Sequence, residues 1–92
     1  MQTDAAFLRD VEVRMQALAE AKRLRPMVSS ALSELAHAKE LAAAAAPGSQ
    51  EEHQALTTAA EISLRLAGLQ AALRQANQDL QRTAYLVPLL TE

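Results

Sequence analysis

The chain has 92 residues and a formal net charge of −2, which fits one small domain. Its apolar half is mostly Ala and Leu, with one Phe, one Tyr, no Trp and no Cys, so neither a disulfide framework nor a cysteine-based zinc site can be built. The scattered charges form no basic stripe for phosphates and there is no aromatic platform for bases, which argues against nucleic-acid binding.

The first predicted element is a helix over residues 3–25. Thr3 suits an N-cap, and Asp4 sits where the helix dipole favours an anion. Leu8, Val11, Met15 and Leu18 make an apolar stripe at helical spacing, with Phe7 beside it. Lys22, Arg23 and Arg25 crowd the last turn, where cations are favoured; they read as a solvated helix end. The opening Met1-Gln2-Thr3-Asp4 lacks the basic region and apolar core of a secretory signal, and no apolar run nears the ~20 residues that span a bilayer.

Pro26 is expected to end that helix, because a proline pushes its predecessor out of helical geometry and suits the first turn of a new helix; a kink in place of a full break is the alternative. The second helix is placed over residues 26–46, with Val28, Ala31, Leu32, Leu35, Ala38 and Ala42 on one face. Pro47-Gly48-Ser49 then reverses the chain: Gly48 can take the left-handed conformation that stops a helix, and Ser49 with Glu52 matches a capping box. So short a connection predicts that the flanking helices are antiparallel neighbours, with Leu32 and Leu35 facing Ile62 and Leu66.

The third helix, over residues 50–87, is the longest predicted element. Ala55, Ala59, Ile62, Leu66, Leu69, Leu73, Ala76 and Leu80 alternate at steps of four and three, interrupted by Thr83 before Val87. At about 1.5 Å per residue it reaches roughly 55 Å, against about 30 Å for the second helix. The excess is covered either by the first helix, making a three-helix bundle, or by another protein; for the second case Leu66, Leu69, Leu73, Ala76 and Leu80, with Tyr85 and Val87 in an apolar C-terminal patch that otherwise folds back, are the candidate partner-binding residues. A weaker stripe of Leu56, Ala60, Leu64, Ala67 and Ala71 widens the apolar surface, and Gly68 is either a tolerated defect or a point of close backbone approach.

No chemistry stands out. His37 and His53 are isolated, and there is no nucleophile beside a base, no phosphate-binding glycine loop and no paired carboxylates on a buried face. The fold class expected is all-α: a short N-terminal helix plus an antiparallel helical hairpin, coiled-coil-like, in one domain over residues 1–92. No enzyme activity, cofactor or metal is expected.

Two stretches carry a family resemblance. Leu24-Arg25-Pro26-Met27-Val28-Ser29-Ser30-Ala31-Leu32-Ser33-Glu34-Leu35 is similar to the first hairpin helix of the YscE-type chaperones of bacterial type III secretion. Ser49-Gln50-Glu51-Glu52-His53-Gln54-Ala55-Leu56 resembles that family's turn and following helix, with His53 where an aromatic is usual. The five-alanine run and the C-terminal Leu86-Val87-Pro88-Leu89-Leu90 depart from the pattern. The resemblance implies a cytoplasmic co-chaperone that joins a tetratricopeptide-like partner and holds the needle subunit soluble and unpolymerised; a homo-oligomer of the chain when alone is a separate expectation. Two other readings stay open: a needle-like or inner-rod-like structural subunit, which would usually carry a Pro-x-x-Pro turn where this chain has Pro47-Gly48-Ser49-Gln50, and an unrelated coiled-coil adaptor.

Overall fold

The computed structural model describes residues 5–90, so the expected Thr3 cap and Asp4 charge lie outside the described residues. Those residues are all-helical, with α1 over Ala5–Ala44, α2 over Gln50–Arg82, a 3₁₀ turn over Ala84–Leu86 and a short α3 over Val87–Leu90. The two long helices pack against each other.

The expected break at Pro26 is absent: α1 runs through the proline, and the predicted first and second helices are one element. Pro26 removes one backbone donor and costs about 3 kcal/mol inside a helix. Its ring is exposed, however, and the facing positions keep phase across it. Leu24 is buried before it, Val28 is half-buried after it, and Ala31, Leu35, Ala38 and Ala42 follow at alternating steps of three and four. Packing on both sides of the proline outweighs the lost hydrogen bond.

The chain divides into two compact units, one formed by the residues up to Arg25 with those from Ala72 onward, the other by Pro26–Ala71. In the second unit, Ala31, Ala38, Ala59, Ile62 and Leu66 form a buried cluster, with Val28, Leu35 and Leu69 packed on it. Leu35 faces that cluster as expected, but Leu32 is 49% exposed. Leu32 lies one residue off the 3–4 phase that Ala31 and Leu35 share, so the smaller alanine takes the inward position. Small residues there let helix backbones approach closely.

The connection in this unit is a type II turn. Ser49 N donates to Ala46 O at 3.0 Å, with Pro47 and Gly48 as the central residues. Gly48 has φ 77°, a value that a Cβ disfavours. α1 has already ended at Ala44, so Gly48 serves the turn and not the helix terminus. Ser49 Oγ accepts from Glu52 N at 3.2 Å, a true N-cap. Glu52 Oε1 accepts from Gly48 N at 3.0 Å, one residue earlier than the capping-box pattern, because the turn already occupies the Ser49 amide.

In the other unit, Ala17, Ala21 and Ala76 are buried together, with Leu73 and Leu80 against them. The expected N-terminal stripe is on the wrong face: Leu8, Met15 and Leu18 are 55%, 64% and 50% exposed. The inward phase is Asp10, Arg14, Ala17, Ala21 and Leu24. Thr83 does not interrupt the α2 stripe either. It is fully buried in phase, α2 ends beside it at Arg82, and Leu86 is the next buried residue. Pro88 does not close a helix but sits inside α3 near its start, where a missing N–H costs nothing.

Candidate functional site

The residues expected to bind a partner divide sharply. Leu66 and Ala76 are buried, and Leu69, Leu73 and Leu80 pack on the two clusters just described. These five are therefore taken up by α1. The expectation that they were spare rested on a helix break at Pro26; without it, α1 continues alongside them. Tyr85 and Val87, the other two, are 53% and 38% exposed on either side of buried Leu86.

The apolar surface left outside lies elsewhere. On α2 within residues 26–71, Leu56 and Leu64 are 53% and 77% exposed, and Ala60, Ala67 and Ala71 continue their stripe on the same outer face. In the other unit, Leu8, Met15 and Leu18 are exposed on α1, with Leu89 and Leu90 exposed at the C-terminal end. Gly68 lies in the outer region of α2, and a Cβ built there meets nothing within 4 Å, so it marks no close backbone approach.

Grooves lie between α1 and α2 in each unit. The first, of about 510 Å³, has Ala38, Leu41, Ala55 and Ile62 among its walls, with Glu34, His37 and Glu51 on its rim. Glu34 accepts from Arg65 at 2.9 Å across the helices. The second groove, of about 360 Å³, is lined by Ala17, Ala72 and Ala76 with polar Gln16, Glu20, Gln75 and Asp79. Glu20 accepts from Arg23, which raises the guanidinium pKa at this solvated position.

Near the second groove lies a polar layer that hydropathy could not reveal. Arg14 donates to Leu80 O at 3.0 Å and to Thr83 Oγ1 at 3.3 Å, while the Thr83 hydroxyl donates to Asp79 O at 2.7 Å. Asp10 accepts from Arg82 at 3.4 Å and from the Tyr85 hydroxyl. Buried side-chain polar atoms among the described residues all have partners. The detectable signal was phase: counting back from Val28 in steps of four and three reaches Leu24, Ala21, Ala17, Arg14 and Asp10.

Among the described residues there is no cluster of three or more His, Cys, Asp or Glu placed to hold a metal ion, and no helix long and apolar enough to cross a membrane. No protein-family model, curated protein or solved structure matches the chain.

Proposed function

We propose that this protein is a non-enzymatic helical binding protein, a cytoplasmic co-chaperone of the type III secretion kind. It would join a tetratricopeptide-like partner and help keep a needle subunit soluble and unpolymerised. The finer architecture belongs to the same reading: an antiparallel helical hairpin. Its support is the turn at Pro47-Gly48 and the pairing of Glu34 with Arg65, later in α2 than the groove residues Glu51 and Gln54 that lie with Leu41.

One observation carries the functional reading. The chain's longest apolar stripe is consumed by its own α1, yet Leu56 and Leu64 remain exposed on the outer face of α2 with small alanines between and beyond them. A concave helical-repeat surface recognises such a face through spaced apolar anchors. The test is co-purification of untagged partners from the native host with wild type, Leu64→Asp and Leu56→Asp. A helical-repeat protein that is retained by wild type and lost from both variants supports the reading. Retention by both variants removes this face from it, and ordered filaments of the purified chain alone would favour the structural-subunit alternative.

A further inference from the structure

We propose that residues 5–25 and 72–90 form a clasp that opens as one unit while residues 26–71 stay folded. The inner stripe of α2 beyond Ala71 is then core when the clasp is shut and surface when it is open. This goes beyond the binding reading and does not depend on any partner.

The two cores are separate. The cluster of Ala17, Ala21 and Ala76, with Leu73 and Leu80, shares no residue with that of Ala31, Ala38, Ala59, Ile62 and Leu66. The compact units divide between Arg25 and Pro26 on α1 and between Ala71 and Ala72 on α2. Losing one cluster therefore removes no contact from within the other.

Topology makes the dependence one-sided. Residues 26–71 are closed by the short connection between Ala44 and Gln50, with its turn and the Ser49 cap. The clasp joins the two ends of the chain, as in the bond from Arg14 to Thr83, 69 residues apart. Closing so long a loop costs entropy that the folded residues inside it have already met. The clasp needs residues 26–71, and they do not need the clasp.

Pro26 marks where it opens. With the clasp shut, the proline lies inside α1, has no amide to donate and weakens the helix. Once residues 5–25 let go, it becomes the first residue of the helix that remains. A proline favours that position, because no donor is needed there. The same residue works against the shut state and for the open one. Opposing it, Leu24 and Leu86 are fully buried, Arg14 holds Leu80 O and the Thr83 hydroxyl, and Asp10 accepts from Arg82 and the Tyr85 hydroxyl. All of these residues belong to the clasp, so their contacts are lost together. Leu73, Ala76 and Leu80 then lose the α1 residues that cover them.

The experiment is native-state hydrogen exchange of the full chain at low denaturant, resolved by residue. Amides of residues 17–24 and 73–80 should exchange through one shared opening with one denaturant dependence. Amides of residues 31–38 and 59–66 should exchange only through a larger opening. Ile62→Val should speed the second set roughly five-fold and leave the clasp set unchanged, because Ile62 stays packed when the clasp opens. Arg14→Ala should speed both sets by the same factor, roughly ten-fold, because its bonds are lost in either opening. Pro26→Ala should slow the clasp set by more than roughly ten-fold. One protection level for both sets overturns the proposal, as do clasp strands that open with different denaturant dependences. So does an Ile62→Val chain in which both sets speed up alike, or a Pro26→Ala chain whose clasp exchanges no more slowly than wild type. None of these outcomes bears on the retained-partner experiment above, so the two readings fail separately.

Discussion

The two compact units use the same pair of helices and hold them together differently. Within residues 26–71 the contact is apolar: Ala31 and Ala38 accept Ile62 and Leu66, and a capped type II turn joins the two helices. In the other unit the buried cluster is three alanines with Leu73 and Leu80 against them, Leu24 and Leu86 are buried as well, and a polar layer of Arg14, Asp79, Leu80 and Thr83 accompanies them. Alanines slide past one another with little penalty. A guanidinium aimed at one carbonyl and one hydroxyl does not, so the polar layer gives register where side-chain shape cannot.

The largest effect should come from the apolar unit. Ile62→Ala truncates one of its two bulkiest buried side chains, Leu66 being the other, and should cost about 2–4 kcal/mol by denaturant titration. The polar layer should yield less. Arg14→Ala leaves the Thr83 and Leu80 oxygens one donor short and should cost about 1–2 kcal/mol. Thr83 keeps its bond to Asp79, so a cost as large as that of Ile62→Ala would show that the polar layer, not the apolar cluster, carries the fold. Ser49→Ala removes the cap of α2 and should cost about 1 kcal/mol; an unchanged midpoint would mean the turn alone sets the reversal. Gly68→Ala should be the one stabilising change, by up to about 1 kcal/mol, since the added methyl meets open space. A lower Tm for that variant would reveal a contact at Gly68.

Legibility in the sequence follows the same division. The α2 stripe from Ala55 to Leu80 could be read because its inward positions are apolar, and Pro47-Gly48-Ser49 because turn chemistry is local. The N-terminal half of α1 misled because Leu8, Met15 and Leu18 are exposed while the inward positions before Leu24 are alanines or charged. A hydropathy stripe marks the core only where the core is made of large side chains. Pro26 misled because the local penalty was weighed without the packing on both of its sides. The candidate surface was defined as what a helix over residues 26–46 could not reach, so the expected break at Pro26 placed it on the inner face of α2.

Within each unit the α2 stripe is closed by the chain's own α1. Thermal melting of isolated Leu73→Asp and Leu64→Asp, followed by circular dichroism, tests it most directly. Leu73 packs on Ala17, Ala21 and Ala76, so a carboxylate there is desolvated without a counter-charge, and the melting transition should fall sharply or vanish. Leu64 is 77% exposed, so Leu64→Asp should melt within about a degree or two of wild type. A Leu73→Asp chain that melts like wild type would show that α1 does not close the inner stripe at Leu73.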